Sequence, residues 1–123
     1  MTASQYKYLD CIDSLCKQNE NFNMASIAAK QGVSRVSSYR AMEKLRANKL
    51  IDTTKEGKWY LTEKGKEKLE EVRNGIRFLQ EVLENTCGIN SKISYREASN
   101  AYCSMSENAK LIIRLKSVEK NQL

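Results

Sequence analysis

Between Ser34 and Arg40 the chain sets two guanidiniums (Arg35, Arg40), hydroxyls that include Ser34, Ser37 and Tyr39, and one branched apolar group (Val36) close together. These types suit the reading of DNA. An arginine forks onto O6 and N7 of guanine, hydroxyls bond base edges or phosphates, and a valine meets a thymine methyl. Lys44, Lys55 and Lys58 follow and suit phosphates, where each neutralised charge adds affinity and salt dependence. Residues 30–58 hold eight basic side chains against three acidic ones (Glu43, Asp52, Glu56), and so carry five of the six net positive charges of the 123-residue chain. After that segment, acidic and basic residues mix along helical faces in the pattern of an ordinary solvated surface.

Catalytic chemistry is harder to assemble. The chain has no His, which removes the commonest general base and the commonest metal ligand together. Glu70 and Glu71 are adjacent and point to different helix faces, so they form no catalytic carboxylate pair. There is no Gly-rich phosphate loop, nucleophile elbow or CxxC. The expectation is a non-enzyme.

The length allows one domain, at most with a small appendage, and 41% apolar with 29% charged residues excludes full disorder. No run approaches the roughly 20 apolar residues of a membrane span. The opening MTASQYKYLDC lacks an apolar stretch behind a basic start, so a cytoplasmic location is expected. In that reducing compartment the four cysteines read as small, buried, reduced core residues, and Met24, Met42 and Met105 as core fillers.

The elements that must position these groups follow from spacing and caps. Tyr8 or Leu9, Ile12, Leu15 and Cys16 mark the inner face of a first helix from Ala3 to about Asn19, ended by the polar NENFN. Asn23 can cap a short second helix with Met24, Ile27 and Ala28 inward, closed by Gly32. Ser34 caps a third to about Asn48, with Tyr39 or Ala41, Met42 and Leu45 available for packing. Leu50–Thr54 and Lys58–Thr62 then read as two strands around Gly57, a wing on which one of Trp59 and Tyr60 packs under and the other faces out.

Thr62 caps a long helix to about Glu84, with Leu69, Val72, Ile76, Leu79 and Leu83 along one face. At roughly 33 Å, that stripe exceeds what a small DNA-binding head can cover, so part of it is expected to face another subunit. Ser94-Tyr95-Arg96-Glu97 has the capping-box pattern for a fifth helix to about Cys103, and Ser106 can cap a sixth through Val118 whose apolar set is Ile112, Leu115 and Val118. The fold class expected is mainly α: a winged helix-turn-helix DNA-binding domain over 1–62 and a helical dimerisation region over 63–123.

Ser26-Ile27-Ala28-Ala29-Lys30-Gln31-Gly32-Val33-Ser34, Met42-Glu43-Lys44-Leu45 with Leu50-Ile51, and Leu61-Thr62-Glu63-Lys64-Gly65 resemble the winged helix of the diphtheria toxin repressor and manganese transport regulator family. The resemblance continues through the long helix, the Cys87-Gly88-Ile89 break and the last two helices. It implies a homodimeric transcription factor, a repressor, whose DNA-binding heads are positioned by Mn(II) or Fe(II) held between the first, fourth and fifth helices. Position by position, the implied ligands fall on Lys7 and Asp10, near Ile76 and Arg77, and at about Ser99, Tyr102 and Cys103. Only Asp10 and Cys103 are ligand types there, and two ligands do not make a tight divalent site.

Three controls fit that pattern. Lys7 and Arg77 pair with Asp10 or Glu97 and hold the dimer in a DNA-binding arrangement without metal; or Cys11 and Cys103 approach each other as a thiol sensor or soft-metal site; or a small effector fills the vacated space, lined by Tyr102 and Arg77. The partner expected is a palindromic duplex operator with half-sites about 34 Å apart or at multiples of that spacing. A winged-helix module binding an acidic protein is the alternative.

Overall fold

The structure is a computed structural model that describes residues 1–18 and 22–122, with the side chains of 121 and 122 left aside. Most of NENFN therefore lies outside the described residues. Among the described residues the chain is mainly helical, with a single two-stranded antiparallel sheet, and it divides into two compact units, Ser4–Leu69 and Glu70–Leu123 with Met1–Ala3.

In the first unit, α1 (Ala3–Lys17) buries Tyr6, Tyr8, Leu9, Ile12 and Leu15, so both Tyr8 and Leu9 face inward. Cys16, expected on that face, is exposed one residue before α1 ends, its thiol reaching Trp59 O at 3.7 Å. Asn23 caps α2 (Met24–Gln31), its Oδ1 accepting from Ser26 N at 2.9 Å. At Gly32 the backbone turns left-handed (φ 66°), which lets Val33 N reach back to Ala28 O at 3.1 Å.

Ser34 Oγ accepts from Ser37 N at 3.1 Å and starts α3 (Arg35–Ala47), which buries Ser38, Met42 and Leu45. Lys49 leaves it in the left-handed region (φ 62°), and Leu50 N donates to Leu45 O at 3.0 Å. β1 (Ile51–Thr53) and β2 (Trp59–Leu61) each stop one residue short of the expected strand at both ends, with buried Ile51 paired to buried Leu61. Trp59 is half-buried and Tyr60 faces out, as the alternation requires.

Thr62 caps α4 (Glu63–Asn85): its Oγ1 accepts from Gly65 N at 3.0 Å and donates to Lys49 O at 2.7 Å. A Cβ on Gly65 would lie 1.9 Å from Leu50 O, so the first turn of α4 can close on the loop before the hairpin only without a side chain there. The run Leu61-Thr62-Glu63-Lys64-Gly65 is thus a local lock between hairpin and helix.

The second unit holds the rest of α4 with α5 (Ser91–Ser104) and α6 (Glu107–Gln122). Val72 and Ile76 of α4 are buried, while Leu79 and Leu83 are half-buried. α5 starts four residues earlier than expected. Its cap is Asn90, whose Oδ1 accepts from Lys92 N at 2.8 Å, so Ser94 is an interior position. Ser94 is buried, donates to Glu84 Oε1 at 2.6 Å and accepts from Gln80 Nε2 at 3.2 Å, tying α5 to α4.

The apolar set of α6 turns outward: Ile112, Leu115 and Val118 are 59%, 56% and 53% exposed, and Leu111 is 47% exposed. The inner face is instead Lys110, Ile113, Arg114 and Ser117, at helical spacing, with Lys110 and Ser117 buried. Helical periodicity located the apolar stripe correctly but not which way it turns.

Candidate nucleic-acid interface

All nine residues expected to meet DNA lie on the surface of one compact unit: Ser34, Arg35, Val36, Ser37, Tyr39, Arg40 and Lys44 on α3 or its cap, Lys55 and Lys58 at the hairpin turn. Val36 is 61% and Tyr39 56% exposed, so neither is committed to the core. Tyr39 had been one choice for packing; Met42, Leu45 and Ser38 fill that role instead. Arg35, Arg40 and Lys44 have no carboxylate partner among the described residues, so their charges are free to meet a polyanion. Arg46 differs: its Nε pairs with Asp52 at 3.3 Å and its guanidinium lies 5.9 Å from the Trp59 ring centroid. It fastens the hairpin to α3 and so positions the basic turn residues beside the helix.

The hairpin turn carries one anion of its own, Glu56. The backbone amide of Glu56 itself, then the Thr54 hydroxyl, hold the fully exposed Glu56 carboxyl below the usual carboxylate range, and Lys58 adds to the shift. Gly57 follows in the left-handed region (φ 82°). The turn is therefore shaped by its own hydrogen bonds, leaving Lys55 outward.

The positions at which the family resemblance implies metal ligands are divided between the two units. On α1, Lys7 is exposed, Asp10 half-buried and Cys11 buried. In the other unit Ser99 and Tyr102 are buried, Cys103 is half-buried and Arg77 is exposed. Tyr102 is sealed in packing: a Cβ on Gly75 would come within 2.3 Å of its ring, and Arg114 donates to its hydroxyl at 3.2 Å. Among the described residues no group of three or more Cys, Asp or Glu is placed to hold a metal ion. These side chains do not fit Mn(II) or Fe(II), which want several oxygen or imidazole donors around one point.

The expected pairing of Arg77 with Glu97 is not formed. Arg77 lies 3.9 Å from Glu70, two turns back on the same face of α4, while Glu97 pairs with its neighbour Arg96 at 3.4 Å. Arg77 also lines an open pocket of about 370 Å³, counting space open to solvent, with Asn74, Phe78, Glu81, Ser117 and Lys120. Tyr102, the other residue expected to line an effector space, is not among its walls. All four cysteines are free, and of the four expected in the core only Cys11 is buried: Cys16 and Cys87 sit at element ends and are exposed. Burial pushes the Cys103 thiol above its usual value against the opposing pull of Lys110, and burial, then Asp13, does the same for Cys16 against Lys66.

Sequence reading missed four positions that organise these regions: Arg46, Gly75, Lys110 and Arg114. For Gly75 a signal existed, since a glycine inside an otherwise unbroken helix usually has a packing reason.

No protein-family model and no curated protein matches the sequence. Solved structures do match in fold. The hypothetical protein SSo2273 from Sulfolobus solfataricus is 16% identical, with a TM-score of 0.75 over 92% of this chain and 86% of that one. The manganese regulator SloR is 23% identical, with a TM-score of 0.77 over 92% of this chain and 53% of that one. The metal-dependent transcriptional regulator MtsR is 21% identical, with a TM-score of 0.76 over 92% and 53%. This chain therefore has the fold found in metal-dependent transcriptional repressors, and it spans about half the length of those regulators. No helix among the described residues is long and apolar enough to cross a membrane.

Proposed function

We propose that the chain is a sequence-specific DNA-binding transcriptional regulator, a cytoplasmic repressor acting as a homodimer on a palindromic duplex operator. In this reading α2, the Gly32 turn and α3 are a helix-turn-helix, β1 and β2 its wing, and α4 to α6 the dimerisation region. The observation that carries it is the outer face of α3, where Arg35, Val36, Tyr39 and Arg40 stand exposed and uncommitted beside a basic hairpin turn. The start of α3 reads base edges, and Lys44, Lys55 and Lys58 meet phosphates.

The reading of a dimer is supported by α6. Leu111, Ile112, Leu115 and Val118 make a continuous apolar stripe on its outer face, and such stripes mark association surfaces. A second copy of the chain is the partner that brings two α3 helices to a two-fold operator.

Selection from a random duplex pool, followed by binding of the enriched sequence over a salt series, tests the proposal. Enrichment of an inverted repeat with salt-dependent affinity supports it. Absence of any enriched sequence overturns it, and turns attention to an acidic protein as the partner of exposed Val33, Val36 and Tyr39.

A further inference from the structure

The inner face of α6 is cationic where a helix packed on two others is normally apolar, and its cations converge on Tyr102. Lys110, with only 8% of its side chain exposed, holds Nζ 5.7 Å from the Tyr102 ring centroid. One turn on, Arg114 donates to the Tyr102 hydroxyl at 3.2 Å and pairs through Nε with Glu71 of α4 at 3.1 Å. Glu107 balances Lys110 at 3.4 Å. From the other side the ring rests on Gly75, so it has no room to move toward α4.

Buried cations persist only when they are paired and hydrogen-bonded, and both are here. The Tyr102 hydrogen bond, then the charge of Glu71 among others, keeps Arg114 more firmly protonated than a free arginine, so its charge is permanent. A divalent ion brought to Tyr102 or Cys103 would meet two fixed positive charges rather than carboxylates.

We propose that Lys110 and Arg114 are resident cations that close α4, α5 and α6 on Tyr102 without metal. DNA binding is then not gated by Mn(II) or Fe(II). Only this last clause rests on the DNA-binding reading, and the clamp itself is tested without DNA.

The experiment melts the full chain with chelator, without additions, and with MnCl2 at about 1 mM. The expected result is one melting temperature in all three. A site of micromolar affinity would raise it by roughly 10 °C at that concentration, and such a rise overturns the proposal. In parallel, Arg114→Met, Arg114→Lys and Tyr102→Phe are melted. The clamp requires the largest fall for Arg114→Met, partial rescue by Arg114→Lys, and a loss of several degrees for Tyr102→Phe, which keeps the ring and its seat on Gly75 but removes the hydroxyl. Wild-type melting of Tyr102→Phe overturns it even where Arg114→Met fails to fold.

Discussion

A Cβ added at Gly75 would lie 2.3 Å from Cε2 of Tyr102: the buried ring is seated directly on the bare backbone of α4. Gly75→Ala gains helix propensity but overpacks this contact, with a net loss of about 1–3 kcal/mol in urea unfolding. Pairing it with Tyr102→Leu makes room for the methyl, so the double variant should lose less than the two single losses added. Strict additivity would show that the two residues do not meet in solution.

Arg40→Ala should weaken operator binding by roughly 1–3 kcal/mol and relax preference at one base position. Lys55→Ala and Lys58→Ala should instead weaken all sequences alike, each lowering the slope of log affinity against log salt by about 1. Unchanged affinity for Arg40→Ala removes that residue from the interface.

Leu115→Glu places a charge in the middle of the outer stripe of α6, where the wild-type side chain is 56% exposed in the single chain. Light scattering should then report a monomer with helix content intact. A dimer of unchanged affinity would move the association surface elsewhere.

Ser38 is fully buried on the inner face of α3, and its hydroxyl has no hydrogen-bond partner among the described residues. An unsatisfied buried hydroxyl costs about 1–3 kcal/mol. Ser38→Ala should therefore raise stability by about 1 kcal/mol without altering DNA affinity, and a loss of stability would reveal a partner such as bound water.

The raised thiols of Cys103 and Cys16 give a pH dependence of definite sign. The folded state favours the protonated thiol, so their stabilising contribution is complete below the ordinary thiol value of ~8.5 and disappears as pH climbs through the higher folded values. Because only the thiolate reacts, iodoacetamide at neutral pH should label exposed Cys87 well before Cys103. Equal rates would contradict the burial of Cys103 and restore it as a candidate sensor.

What the residues revealed beforehand was what local chemistry decides. Asn23, Ser34, Thr62 and Ser106 cap helices because each bonds an amide two or three residues ahead, and Gly32 and Gly57 turn because their backbones are left-handed; these signals sit within a few residues. The cap of α5 was misplaced because Ser94 and Asn90 both precede helical sequence, and only the tertiary bond of Ser94 to Glu84 separates them. The facing of α6 was hidden more deeply. Periodicity shows that a stripe is apolar but not whether its own chain covers it, and the pull that turns Lys110 and Arg114 inward comes from Tyr102, Glu71 and Gly75, distant in sequence. The exposure of the early residues of α3 was readable because it follows from a buried stripe, which is Ser38, Met42 and Leu45.

An outward apolar stripe also sets how such a regulator would respond to its own abundance. If two chains must join through α6 before an operator is gripped at both half-sites, occupancy grows with the square of the free-chain concentration while monomers predominate. With the Tyr102 clamp closed by the protein's own cations, the amount of chain made becomes the input, and a few-fold change in synthesis is amplified at the promoter.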